Sequence, residues 1–207
     1  MEALYPVLLV VSAFCLGACP FSVWIGWWLL GKEIREYGDG NPGAANVFRA
    51  GGRKSAVLAA ILDAAKGVPF VLLAYSFFGF PEVVVMAVGL GAILGHAFSP
   101  VLRFKGGKSV AVTFGVLSAL PQYEMVIAFA VFILLGFLFI ESHAWTVVLA
   151  PAGSAVYLIA ARGSSLESLF MLFVLVILAI KHFEDLRTLP RPKVRLISWL
   201  QSRGRET

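Results

Sequence analysis

The chain has 207 residues, 59% of them hydrophobic and 14% charged, with a mean hydropathy of +0.87 and a formal net charge of +5. Soluble globular chains carry roughly 45–50% apolar and about 25% charged residues. The proportions here exclude an ordinary water-soluble core and fit an integral membrane protein.

Apolar runs of about 17–25 residues are long enough to cross hydrocarbon as helices. Seven spans are predicted in chain order, at 4–30, 56–78, 82–100, 109–121, 124–140, 144–161 and 165–182. The fourth is short and is expected to begin among the headgroups. The fold class expected is therefore all-α integral membrane, with seven transmembrane helices.

The first run includes "LGAC", Leu16 to Cys19, which resembles a lipoprotein cleavage box. Nothing basic precedes Lys32 and the apolar run continues to Leu30, so an uncleaved first span is expected. Cys15 and Cys19 are four apart and read as small packing residues on one helix face. The segment "YGDGNPGAANVFRAGGRKS" follows, Tyr37 to Ser55. Its glycines and Asn41-Pro42 announce tight turns. Asn41 is expected to cap a short helix beginning at Pro42, with Arg49 facing whatever docks there. The same segment also reads as a plain connector that caps the second span through Ser55.

Asp63 and Lys66 form an (i, i+3) pair in the second span. Ionisable groups inside a membrane are costly and pair or line a cavity, and a structural pairing is expected here. The third span ends near His96, which is either a buried hydrogen-bonded ring or a site residue. Next comes "RFKGGKSVAV", Arg103 to Val112. Successive glycines can turn backbone N–H groups toward one point and bind an anion. Lys105 and Lys108 add charge beside Gly106 and Gly107, and a helix starting near Ser109 adds its positive end. An ATP-binding Walker loop needs a glycine where Leu102 stands, so that motif is excluded.

The last polar segment is "KHFEDLRTLPRPK", where the seventh span runs on before Pro190 stops it. His182 and Asp185 are three apart, and a carboxylate on the same face would orient the ring and raise its basicity. A solvated helix end is the plain alternative. Fifteen of the 17 Lys and Arg follow spans one, three and seven. Cations stay cytoplasmic, so the amino terminus is expected outside and the carboxyl terminus inside. The division expected is a membrane domain over 1–190 and a basic cytoplasmic tail over 191–207. That tail would lie on anionic lipid at about 1 kcal/mol per nearby cation, with Trp199 at the interface.

In order along the chain, "GDGNPGAANVFR", "LDAAKGVPF", "GHAFSPVLRFKGGKSVA" and "KHFEDL" resemble the bacterial acyl-phosphate:glycerol-3-phosphate acyltransferases called PlsY. The resemblance covers almost the whole chain. It implies a multi-pass protein of the bacterial cytoplasmic membrane that transfers an acyl group from acyl phosphate to the 1-hydroxyl of glycerol 3-phosphate. The product would be lysophosphatidic acid. It implies no metal, coenzyme A or acyl carrier protein, and no nucleic-acid partner. Lys105, Gly106, Gly107, Lys108 and Ser109 would hold the acceptor phosphate, with Asn41, Asn46, His96 and Arg49 contributing. His182 would be catalytic, and Glu184 structural, as Asp63 and Lys66 are. Arg49 would assist the chemistry, and Asp39 and Asp185 would stand at catalytic positions.

The chain departs from the family pattern at named places. Asp39 replaces a serine, Ala45 a threonine, Ser99 a proline, Ser109 a glycine, Phe183 an arginine and Asp185 an asparagine. The family's serine-containing loop after span five is not recognisable in "ESHAWTVV". Carboxylates in a site for two phosphates would repel them unless paired or protonated. A different polyol acceptor, a non-catalytic lipid-binding relative and a transporter are the competing readings. Against the transporter, the polar residues line one edge and no two halves of the chain resemble each other.

Overall fold

The structure, a computed structural model, describes residues 4–193. The expected tail lies outside these residues from position 194 on, as does Trp199. Secondary structure among the described residues is helical, apart from one isolated antiparallel bridge between Ile140 and Pro192. The helices are α1 (Leu4–Ala18), α2 (Phe21–Leu30), α3 (Ala44–Arg49), α4 (Arg53–Ala65), α5 (Pro69–Leu72), α6 (Glu82–Ala97), α7 (Val110–Ala119), α8 (Tyr123–Phe139), α9 (His143–Arg162), α10 (Leu166–Lys181) and α11 (Phe183–Leu186). All seven expected segments contain helix. Among the described residues, four stretches are long and apolar enough to cross a membrane: Leu4–Leu30, Arg53–Phe77, Glu82–Leu102 and His143–Arg162. Val110–Ala119 and Tyr123–Phe139 are shorter apolar helices.

The first two long runs are not continuous helices. Pro20 has no N–H to give and interrupts the first between α1 and α2. Cys19 therefore falls just past the end of α1 and does not share a regular helix face with Cys15. The second run breaks after Ala65, resumes at Pro69 and ends in a π-helical turn, Leu73–Phe77. Two expected caps also move. Gly43, not Asn41, precedes the short helix α3, because Asn41 is held in a turn by Asp39 and its carbonyl accepts from the Gly43 N–H at 2.8 Å. Gly52 precedes α4, and Ser55 lies inside it.

The chain forms two compact units, Met1–Tyr123 and Glu124–Thr207. In the first, α1 lies along α6 and α4 lies against α7. These contacts are close because small residues let backbones approach, the usual route to packing where lipid is as apolar as the side chains. A Cβ at Gly91 would lie 2.9 Å from the Val10 carbonyl oxygen, and one at Gly67 would lie 2.7 Å from that of Val112. The close fit fixes the end of α6, where His96 sits, and the end of α4, where Asp63 and Lys66 sit. A second core joins Val23, Ile25, Ile34, Val47, Ala50, Ala56 and Ala59 with Leu102, just before the glycine-lysine loop. The Lys32 ammonium closes α3 by donating to the Ala50 carbonyl at 2.7 Å. The two loops that carry basic site residues are thus anchored to one apolar cluster.

In the second unit α9 packs on α10. Ser142 caps α9 by accepting from the Trp145 N–H at 3.5 Å, and Ser165 with Ser168 forms a capping box for α10. Residues 191–193 are tied to the α8–α9 turn, with Glu141 N–H on the Arg191 carbonyl and Lys193 N–H on that of Phe139, both at 2.9 Å. Leu169, Phe173, Val176 and Ile180 of α10 stay exposed. Such a stripe is a liability in water and is the solvated face in hydrocarbon.

Candidate active site

In the first unit Asp39 sits at the tip of a turn flanked by Gly38 and Gly40, with φ +59° and +72°. A Cβ at Gly38 would lie 2.5 Å from both Arg49 Nη1 and Asn46 Oδ1, so that position needs glycine for its space as well as its φ. The Asp39 carboxylate gathers four donors. Oδ1 accepts from the Asn41 N–H at 3.2 Å and from Asn46 Nδ2 at 2.9 Å, and lies 3.6 Å from Arg49 Nη1. Oδ2 pairs with Lys108 Nζ at 2.8 Å. Burial alone would raise the pKa of this carboxyl. The Lys108 ammonium, the Asn41 N–H and the Asn46 amide overcome it and hold the value at about 2. Asp39 is therefore ionised at neutral pH.

Asn46 joins the cluster together. It is buried, and its Nδ2 also donates to the Asn41 carbonyl at 2.9 Å while its Oδ1 accepts from Arg49 Nη1 at 2.7 Å. Both amide hydrogens and the amide oxygen are engaged, so the guanidinium is held by a side chain that cannot turn without losing bonds. Arg49, Asn46 and Asn41 from the first loop thus meet Lys108 of the second around one carboxylate. Lys105 points to the exposed side of its loop.

The glycine pair is also needed for close packing. The Gly107 N–H donates to the His96 carbonyl at 3.0 Å. A Cβ at Gly106 would strike that same carbonyl oxygen, and one at Gly107 would strike His96 Nε2. The glycines are needed because the loop lies directly on the end of α6. The turn itself is taken by Arg103, Phe104 and Ser109, with φ of 53°, 63° and 61°. Non-glycine residues in the left-handed region are uncommon and cluster at functional sites. The Ser109 hydroxyl turns inward, toward the Ile93 carbonyl at 3.4 Å, as α7 begins.

Beneath the loop lies the second charged group. Asp63 Oδ1 pairs with Lys66 Nζ at 2.8 Å, Oδ2 accepts from the Ser22 hydroxyl at 2.5 Å, and His96 Nδ1 lies 3.8 Å from Oδ1. Lys66 also donates to the Cys19 carbonyl at 2.8 Å, at the break between α1 and α2. The Asp63 and Lys66 side chains are 3% and 1% exposed, so the pair is sealed. A cavity of about 10 Å³, lined by Lys66, His96, Ser99, Pro42 and Gly107, separates this group from the loop. One water is about the most such a space holds. His96 is thus a support of the glycine-lysine loop, placed between it and the buried pair.

In the second unit the helix breaks at His182, whose φ and ψ are −114° and 11°. The expected shared face with Asp185 is interrupted there, and Asp185 is exposed. His182 is buried, with Nδ1 2.9 Å from the Leu178 carbonyl. A carbonyl only accepts, so Nδ1 carries the proton and Nε2 is the basic nitrogen of the neutral ring. His143 packs edge-on at 6.4 Å between ring centroids. Glu184 is exposed and pairs with Arg187 at 3.2 Å. Glu141, Ser142, Thr188, Leu189 and Arg191 line an open cavity of about 690 Å³. In the "ESHAWTVV" stretch the Ser142 hydroxyl serves as the cap of α9.

The family profile described as Glycerol-3-phosphate acyltransferase matches residues 7–191. A glycerol-3-phosphate acyltransferase of Anaeromyxobacter sp. (strain K) is 44% identical over 119 residues, covering 56% of this chain and 59% of that relative. The alignment thus spans less than two thirds of that relative's length. A crystal structure of PlsY (YgiH), an integral membrane glycerol 3-phosphate acyltransferase, in its glycerol 3-phosphate form superposes with a TM-score of 0.78. It is 32% identical and covers 88% of this chain and 90% of that one. The lysophosphatidic acid form of PlsY gives 0.75 at 31% identity, with the same coverage.

Proposed function

The chain belongs to the glycerol-3-phosphate acyltransferase family, and from that premise we propose that it moves a fatty acyl group from an acyl phosphate to the 1-hydroxyl of glycerol 3-phosphate, giving lysophosphatidic acid. The observation that carries this reading is the convergence of Arg49 and Lys108 from two loops, with the Asn46 amide between them and Asp39. Two cations and fixed N–H donors are what a phosphate requires.

The acceptor oxygen attacks the acyl carbonyl carbon, the carbon–oxygen bond to phosphate breaks, and inorganic phosphate leaves with the electron pair. The hydroxyl proton goes to His182 Nε2 or to the departing phosphate. An acyl phosphate is already activated, so positioning supplies much of the rate, with effective molarities that reach roughly 10⁵–10⁸ M for well-oriented groups. Arg49 and Lys108 neutralise phosphate charge that would repel the incoming acceptor. Asn41 and Asn46 position the arginine and the turn. Lys105, Gly106, Gly107 and Ser109, with Asn41, Asn46 and His96, are assigned to binding the acceptor phosphate, and His96 also supports the loop through the Gly107 N–H. Asp63 and Lys66 are assigned a structural role, as is Glu184. Asp39 and the exposed Asp185 are proposed as catalytic-position residues with His182 and Arg49.

The same proposal covers topology and place. We assign seven crossings of the bacterial cytoplasmic membrane, with the amino terminus outside and the basic segments on the cytoplasmic side. The membrane domain is taken as 1–190, followed by a basic segment over 191–207 whose residues from 194 on lie outside those described. The test uses purified protein in lipid, given palmitoyl phosphate with and without glycerol 3-phosphate. Phosphate release that requires the acceptor, with lysophosphatidic acid formed, is the expected result. Acceptor-independent release or none at all would overturn the assigned acceptor and turn attention to other polyols.

A further inference from the structure

We propose that the Asp39 carboxylate is an internal occupant of the phosphate seat, which an anionic substrate must displace, and that this residue sets the affinity of the seat. The inference rests on the reading of Arg49 and Lys108 as phosphate ligands. Its basis is the list of partners. Asp39 takes Lys108 Nζ at 2.8 Å, Asn46 Nδ2 at 2.9 Å and the Asn41 N–H at 3.2 Å, with Arg49 Nη1 3.6 Å away. These are the groups a phosphate would use, and they come from both basic loops. One carboxylate therefore does inside the chain what a ligand would do from outside.

Exposure separates this ion pair from a permanent one. The Asp39 side chain is 38% exposed and those of Arg49 and Lys108 are 51% and 21% exposed. Water reaches all three, so a dissolved anion can reach the cations and the carboxylate can leave toward solvent. The turn between Gly38 and Gly40 presents Asp39 at its tip, without side chains on either flank to hold it in place. A phosphate dianion and the carboxylate cannot both sit on the Lys108 ammonium without strong repulsion, so binding and the Asp39–Lys108 pair exclude each other. Apparent affinity is then reduced by the fraction of molecules in which the pair is open. A pair closed in about 70–90% of molecules weakens binding about 3- to 10-fold. Where a neutral serine stands instead, the arrangement to which this loop is similar, no such competitor exists.

The experiment measures equilibrium binding of inorganic phosphate, and separately of glycerol 3-phosphate, by calorimetry on the full chain in lipid nanodiscs. Wild type is compared with Asp39→Asn, which keeps the shape, and Asp39→Ser, which removes the reach. Each variant is paired with a second version that also carries Lys108→Ala. The expected result is a dissociation constant for phosphate about 3- to 10-fold lower in both single variants, with the gain lost once Lys108 is removed. Unchanged or weaker binding in Asp39→Asn and Asp39→Ser, with thermal midpoints near wild type, would overturn the inference. So would a gain that survives Lys108→Ala, or no measurable phosphate binding by any variant. Catalysis is read independently. Tighter phosphate binding without acyl transfer would keep the inference and refute the assigned reaction, while acyl transfer with unaltered binding would do the reverse.

Discussion

Asp63→Ala is the perturbation that most directly probes the buried pair. The Lys66 ammonium, 1% exposed, has two hydrogen-bond partners, the Asp63 carboxylate and the Cys19 carbonyl, each at 2.8 Å, and lies 5.6 Å from the Phe21 ring centroid. Removing the carboxylate leaves a buried cation with only the Cys19 carbonyl and the Phe21 ring, and strands the Ser22 hydroxyl that donates to Asp63. Breaking a buried ion pair from one side costs about 3–5 kcal/mol, because the remaining charge is uncompensated. For a chain of this size about 2–4 °C accompanies each kcal/mol, so the thermal midpoint should fall by roughly 6–20 °C. Unfolding in a mild detergent, followed by circular dichroism, reads this directly. Lys66→Met alone should destabilise in the same direction. Asp63→Asn together with Lys66→Met removes both charges and keeps shape, and should recover most of the loss. If Asp63→Ala stays within about 1 kcal/mol of wild type, or the double variant is as unstable as Asp63→Asn and Lys66→Met summed, the pair is not the compensated unit described.

Three further outcomes are expected. Asp39→Asn should cost at most about 1 kcal/mol at neutral pH, since the pair is partly exposed and screened. The native carboxyl has its pKa lowered to about 2, so wild type holds this advantage above the ordinary carboxylate range and loses it as pH falls through about 4 to 2. Denaturation of both proteins across that range checks the sign, and an advantage that grows on acidification would refute it. Gly107→Ala drives a methyl into the His96 ring. Overpacking of this kind costs about 1–3 kcal/mol, and with the loop displaced KM for glycerol 3-phosphate should rise more than kcat falls. His182→Gln should lower kcat about 10²- to 10⁴-fold with KM within a few-fold, the usual size of a lost general base. A loss under about tenfold would assign the proton to the departing phosphate.

Legibility followed the range of the interaction. Apolar runs and cation bias are local, and they located the helical segments and the basic loops. The (i, i+3) spacing of Asp63 and Lys66 was enough to expect a pair. Ser22, Cys19 and His96, which complete it, come from other segments of the chain and are joined only by packing. Hydropathy averages over side chains and does not register a missing N–H, so the breaks at Pro20 and before Pro69 were read as continuous helix. The glycines of "KGGK" read in sequence as an anion nest, and the structure adds a use that spacing alone does not show. That use is close approach to the end of α6, and the Gly107 N–H is already engaged there.

Asp39 shows why charge counting at a site is incomplete without distances. As a sequence feature it is an anion among groups meant for phosphate, and it reads as a defect. In the structure Lys108 stands 2.8 Å away, and the defect becomes a closed pair. The same two residue types meet again at Asp63 and Lys66, at the same distance. What differs is access: one pair is 3% and 1% exposed, the other 38% and 21%. Sealed from water, an ion pair can only be kept or broken, and it serves as a fixed support. Open to water, its anion can be exchanged for another, and the pair becomes a gate on the cation. The placement of one aspartate at a glycine-flanked turn and the other within a helix is enough to divide these roles.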